Sequence, residues 1–181
     1  MKPKKSSQIN TGARSLLIVG GVGSGKVLMW HAVPTGRWSG QAAADMYAGP
    51  LKKTLQKAHP GKRQFLVLED NDPTGFKSKK GIRAKAEAKI KILEIPKRSP
   101  DLNVLDYAIW SEVNRRMRRQ EKTWPKSKRE SRARYAERLR RTAMSLPKAF
   151  ITKSIGDMRR RCRRLLAAKG GFIEEGGKMN L

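Results

Sequence analysis

Acidic residues are scarce in this chain of 181 residues, and its first 44 positions contain none. Fifteen Asp and Glu stand against 42 Lys and Arg, a formal net charge of +27. A surplus of that size repels itself and calls for a polyanion, of which nucleic acid is the natural case. Cysteine is nearly absent as well. Cys162 alone excludes an internal disulfide framework and any multi-cysteine zinc site. The two histidines, His31 and His59, have no partner at metal-ligand spacing. No apolar run approaches the roughly 18 residues a spanning helix needs, so no membrane partner is expected. The opening MKPKKSSQINTGARS has no apolar signal-peptide core, and the expected setting is intracellular. Against these absences stand 38% hydrophobic residues and four Trp, too many for a purely disordered basic tail. The length fits one ordinary domain.

The order of elements can be read from periodicity and turn residues. Residues 1–14 are polar and basic, and a flexible N-terminus is expected there. Ser15–Val19 and Lys26–Val33 are short apolar runs separated by GGVGSG, which predicts a hairpin. Residues 41–58 predict a helix broken or restarted at Gly49-Pro50. Strands are predicted at 64–69 and 90–95, with a helix over 78–89 between them. From Val104 to about Arg119, Leu105, Ile109, Val113 and Met117 form one apolar row of a helix. Two more helices are predicted, over 128–144 and 147–168, after a linker at 121–128. In the last helix Ile151, Ile155, Met158, Cys162 and Leu165 share a face. This alternation of strands and helices is an α/β layer fold with a basic helical extension over 121–181.

Two segments could carry chemistry. Gly20–Lys26 satisfies G-x-x-x-x-G-K, most of a nucleotide-binding P-loop. Two points count against that. Val27 stands where a Ser or Thr hydroxyl should ligate Mg²⁺, and the run after Lys26 is β-branched and aromatic rather than helical. A hairpin turn is the expected form, with the P-loop a lesser alternative. The other segment is the acidic one. Asp70 ends an apolar strand in LVLEDNDP, where α/β folds place functional side chains. Asp106 falls in the first turn of a helix, three residues after Asn103, in an arrangement like a capping box. A carboxylate there stays ionised and suits a hard cation. The plainer readings are a turn at Asp70–Pro73 and a helix cap at Asp106.

These blocks carry a resemblance. YAGPLKKTL, FLVLEDNDP and KRSPDLNVLDYAIWSEVNRRM resemble the catalytic domain of mariner-superfamily cut-and-paste transposases, in which an apolar strand ends in Asp-Asn-x-Pro. Ser-Pro-Asp-Leu-Asn, an acid and a Trp follow. Here these are Asp70–Pro73, Ser99–Asn103, Asp106 and Trp110, with residues 71–105 lying between the two acids. The resemblance covers roughly residues 15–120. It implies a ribonuclease-H-like mixed sheet flanked by helices, and a partial catalytic domain over 15–120. It also implies a site in which carboxylates hold Mg²⁺ or Mn²⁺ for phosphodiester cleavage and strand transfer on DNA. Asp70 and Asp106 match the family's second and third acids. Its first acid, on the first strand, has no counterpart, because the earliest acid in this chain is Asp45. Thr74, Gly75 and Phe76 stand where the family often has a His. The resemblance therefore implies an incomplete site and little activity from this chain alone, and with it a nuclear location and room for a homodimer.

The rest of the charge lies behind the second acid. Residues 111–169 hold 21 Lys and Arg against 5 Asp and Glu, a net of +16. Carboxylate partners at i,i+4 look scarce, so phosphate contacts are expected from this region and from the loop before it. Lys97, Arg98, Arg115, Arg116, Arg118 and Arg119 are the candidates. A non-catalytic nucleic-acid-binding protein derived from a transposase is the main alternative.

Overall fold

The computed structural model describes residues 16–34, 36–125 and 129–171. The expectation for residues 1–14 lies outside them. β1 (Ile18–Gly23) and β2 (Lys26–Ala32) form an antiparallel hairpin. Its turn is the two residues Ser24 and Gly25, with φ of 51° and 70°, the handedness that suits strand twist. A Cβ on Gly25 would lie 2.8 Å from both Lys148 Cγ and Thr152 Oγ1, so the turn and its packing both require glycine. The strand therefore runs through Gly20, Gly21 and Gly23, which sequence reading assigns to the turn. Lys26 opens β2 and no helix starts there. The P-loop alternative fails on that point, because no helix N-terminus exists to hold a phosphate.

α1 (Gly40–Met46) is capped by Ser39, whose hydroxyl accepts from Ala42 N at 3.2 Å. A π-helical turn, Tyr47–Leu51, carries the chain into α2 (Lys52–Ala58). Pro50 sits inside that turn, which absorbs the missing N–H, so the helix widens where a break or restart is expected. β3 (Phe65–Glu69) and β4 (Ile90–Glu94) pair in parallel and are joined by α3 (Lys79–Glu87). Strand directions are thus mixed, as expected, and divided between an antiparallel and a parallel pair.

Two clusters of apolar side chains hold these layers. Met46, Tyr47, Leu51, Phe65, Ala84 and Ile90 form one, under α1, α2 and α3. The other joins Val27 of the hairpin to α4 (Trp110–Glu121), α5 (Arg132–Met144) and α6 (Lys148–Gly156). The predicted row spans the turn before α4 and α4 itself and packs into this second cluster: Ile109, Val113 and Met117 are 0%, 1% and 3% exposed, and Leu105 is partly buried against them. Through Leu139, Ala143 and Ile151 the C-terminal helices share a core with the hairpin.

The single helix predicted over 147–168 is two, α6 and α7 (Met158–Ala167), broken at Gly156–Asp157. Glycine is costly inside a helix, and Asp157 turns to pair with Arg160 at 2.8 Å. The expected apolar face is split accordingly. Ile151 is fully buried, whereas Ile155 is 36% exposed. The segment after α4 is more than a linker. Arg138 of α5 holds Glu121 and Glu130 at 2.7 Å each and stacks over Trp124 at 4.5 Å.

Candidate metal and DNA site

Because β3 and β4 run parallel with Glu69 opposite Glu94, Asp70 and Ile95 leave the sheet side by side. Asn71 stitches them together. Its side-chain amide donates to Ile95 O at 2.6 Å and to Pro96 O at 3.3 Å, while its backbone N–H donates to Asp70 Oδ1 at 2.6 Å. Asp70 itself is exposed. Asp72 has a different task. It accepts from Trp38 Nε1 and Gly75 N at 2.6 Å each, and from Phe76 N and Thr74 N at 3.2 Å. Partial burial alone would raise its carboxyl, but these donors, Gly75 N foremost, outweigh that and hold it below the usual carboxylate range. Gly75 is indispensable to this turn, since a Cβ there would come within 2.2 Å of the Trp38 indole. The turn reading of the Asp-Asn-Asp-Pro block therefore describes Asp72, and Asp70 is left available.

Asp106 enters from a second π-helical turn, Leu105–Ile109, that leads into α4. Asn103 Nδ2 donates to Asp106 Oδ2 at 2.8 Å, and Asn103 Oδ1 accepts from Leu105 N at 3.1 Å. The capping box suggested by the spacing does not form: the Asp106 and Asn103 backbone N–H groups go to Asn103 O and Pro100 O, and Asn103 instead bonds the Asp106 carboxylate side chain to side chain. Partial desolvation pushes the Asp106 carboxyl up, and the negative charge of Asp70 pushes it further. Hydrogen bonds from Asn103 and from the Trp110 side chain oppose this only in part. The structure thus brings the two acids, which lie on separate elements, within electrostatic reach of one another. Among the described residues no group of three or more His, Cys, Asp or Glu could hold a metal ion, so the pair stands by itself.

No family model and no curated protein matches this sequence. Solved structures do match. The crystal structure of the catalytic domain of Mos1 mariner transposase aligns with a TM-score of 0.74 at 15% identity, over 88% of this chain and 76% of that one. This chain has the fold of a mariner transposase catalytic domain. The same domain solved with Raltegravir and Mg gives the same TM-score and identity. The Mos1 paired-end complex with Mn aligns with a TM-score of 0.77 at 15% identity, over 96% of this chain and 49% of that one. The chain thus spans about half the length of the transposase in that complex. The ribonuclease-H-like α/β architecture expected of the resemblance is the one observed, with Asp70 directly after β3 and Asp106 in the π-helical turn before α4.

On this transposase fold the predicted basic residues divide. Lys97, Arg98, Arg118 and Arg119 are exposed. Arg115 and Arg116 both bind Glu112 at 2.7 Å. Local neutralisation is commoner than the sequence reading allows, because Glu137 also reaches Arg140 at 2.9 Å and Asp157 reaches Arg160. The two arginines, Arg115 foremost, hold the Glu112 carboxyl at about 2, against an ordinary 4.5. A depressed carboxylate stabilises the fold above its unfolded value and loses that contribution as pH falls toward its folded value. Unfolding of wild type and Glu112→Gln in urea is therefore expected to differ by up to about 3 kcal/mol at pH 6, less whatever solvent screens at half-exposed Arg115, and to converge near pH 2. A gap independent of pH would contradict this.

Sequence reading missed the buried charge beneath Asp70. Glu69, the last residue of β3, packs against α3 and the Tyr47 turn, where it accepts from the Tyr47 hydroxyl and from Lys85 Nζ, the latter at 2.7 Å. The side chains of Lys85 and Glu69 are 10% and 7% exposed, and Tyr47 is fully buried. Burial, with the Glu69 charge next, pushes the Tyr47 hydroxyl far above its ordinary range. Strand alternation was the available signal, since a residue adjacent to an outward acid must face inward.

Proposed function

We propose that this chain binds DNA and that Asp70 and Asp106 hold a divalent cation, Mg²⁺ or Mn²⁺, for phosphodiester cleavage and strand transfer of the cut-and-paste kind. One arrangement carries this reading: Asp70 at the end of β3 and Asp106 in the turn before α4 lie near enough for the Asp70 charge to act on the Asp106 carboxyl, in a chain of net charge +27. The donor set fits the ion, because Mg²⁺ is held by one or two carboxylates with water and substrate phosphate completing its shell. Bound there, such an ion supplies Lewis-acid polarisation of the phosphate and a nucleophile at neutral pH. The chain's own residues do the positioning. Asn103 and Trp110 hold Asp106, and the Asn71 backbone holds Asp70. The solved relatives with Mg and with Mn, and the paired-end complex, support the same reading by fold. Nuclear location and a homodimer belong to this proposal by resemblance alone.

Two carboxylates are fewer than the two-ion chemistry of the resembling family uses, so we take this chain alone to be a poor catalyst. A non-catalytic DNA-binding protein is the second reading, favoured by that same two-acid centre. Duplex binding followed by fluorescence anisotropy is expected to weaken by about 10³-fold or more between about 50 and 200 mM salt, as for several phosphate contacts. A flat salt response would remove the DNA reading. Nicking of plasmid DNA with Mn²⁺ is expected to stay at background. Nicking that is metal-dependent and lost in Asp70→Ala would show instead that two acids suffice.

A further inference from the structure

Four described residues other than glycine have φ in the left-handed region: Ser24, Lys89, Arg98 and Lys169. Ser24 lies in the hairpin turn, and Lys89 and Lys169 each follow the C-terminal cap of a helix, where that conformation is routine. Arg98, at φ 57°, lies in the turn that it forms with Lys97 after β4. It lies in the loop from β4 to the Asp106 turn, and that loop is fixed at both ends. At the far end a 3-10 turn, Pro100–Leu102, is closed by Leu102 N to Ser99 O at 3.1 Å and Asn103 N to Pro100 O at 3.0 Å. Leu102 and Asn103 are buried there. At the near end stand the two hydrogen bonds from Asn71 to Ile95 O and Pro96 O. Between these anchors Lys97 and Arg98 are exposed. The acids nearest to them in sequence are engaged elsewhere, Glu94 with Lys77 and Asp101 with Arg161, at 3.7 Å each. A left-handed arginine costs about 1–2 kcal/mol and persists only where its surroundings impose it.

We propose that Asn71 is a positioning residue for phosphate recognition: it ties the Pro96–Ser99 loop to the strand end carrying Asp70, so that Arg98 meets a DNA phosphate beside the two acids. This rests on the DNA-binding reading above. One residue thereby registers both partners of a phosphodiester, its backbone orienting the Asp70 carboxylate and its side chain orienting the basic loop. A guanidinium held in place loses less freedom on binding than one on a mobile loop, which is what an anchored loop contributes.

The test is the salt dependence of duplex binding in wild type, Arg98→Ala, Asn71→Ala and the double variant. Each phosphate contact contributes about 0.9 to the slope of log K against log salt. Arg98→Ala is expected to lower the slope by about 0.9, Asn71→Ala by a similar amount, and the double variant by no more than either alone. Asn71→Leu, which keeps the size and loses the amide donor without adding a charge, repeats the measurement where the alanine variant melts early. A steep wild-type slope left unchanged by Asn71→Ala and Asn71→Leu, or losses that add in the double variant, overturns the proposal alone. A flat wild-type slope overturns it together with the DNA reading.

Discussion

Lys85→Met is expected to destabilise the fold by about 3–5 kcal/mol at neutral pH, a fifth or more of the stability of an ordinary domain at about 5–15 kcal/mol. The loss has little to do with the attraction between Lys85 and Glu69, which desolvation of both groups largely offsets. It comes from what is left behind. With the ammonium gone, a carboxylate that is 7% exposed keeps only the Tyr47 hydroxyl as a donor, against an aromatic ring that is itself fully buried. Glu69 must then take up a proton or draw water into the layer between β3 and α3. Adding Glu69→Gln should recover most of the loss, since a neutral amide still accepts from Tyr47 and no lone charge remains. Urea titrations of the three proteins at pH 7 measure this directly. A cost below about 1 kcal/mol for Lys85→Met, or a double variant no better than the single, would show that the pair is hydrated in solution.

That pair marks where sequence legibility ends. Asp70 could be found because an acid at the end of an apolar run, before Asn-Asp-Pro, is conspicuous in a chain with few acids. Asp106 could be found because Asn103 precedes it by the spacing of a cap. Both signals are local. The role of Lys85 is not, since in KAEAK it reads as one more solvated lysine, and only the docking of α3 on β3 and β4 places it at Glu69. The same distinction governs the fold. The row Leu105, Ile109, Val113 and Met117 predicts its helix, because burial on one face is written in the spacing. Gly156 does not by itself announce that residues 147–168 divide in two, because a single glycine costs a helix only about 1 kcal/mol and many helices carry one. The glycines of β1 mislead in the opposite sense. They resemble a phosphate loop by composition, yet register with β2 makes them strand.

Asp106→Asn is expected to lower Mn²⁺ affinity at least tenfold, about 1.4 kcal/mol, while leaving the melting temperature at or slightly above that of wild type. The two effects share one cause. In the ion-free protein Asp70 and Asp106 repel, and the repulsion is tolerated because Asn103 and Trp110 hold Asp106 in place. An amide at 106 keeps an oxygen for Asn103 to bond and removes one of the two charges, so the fold gains what the site loses. Asp70→Asn removes the other charge and should behave alike. A cation held between two carboxylates is released once either is neutral, so the double variant should bind Mn²⁺ scarcely less than each single one. Free Mn²⁺ measured by electron paramagnetic resonance reports the affinity, and a melting curve on the same samples reports the fold. Wild type that binds Mn²⁺ no better than the double variant would remove the metal reading outright. A large fall in melting temperature in Asp106→Asn would show that this carboxylate is a helix cap first, because a residue kept for metal binding should cost the empty protein stability and not supply it.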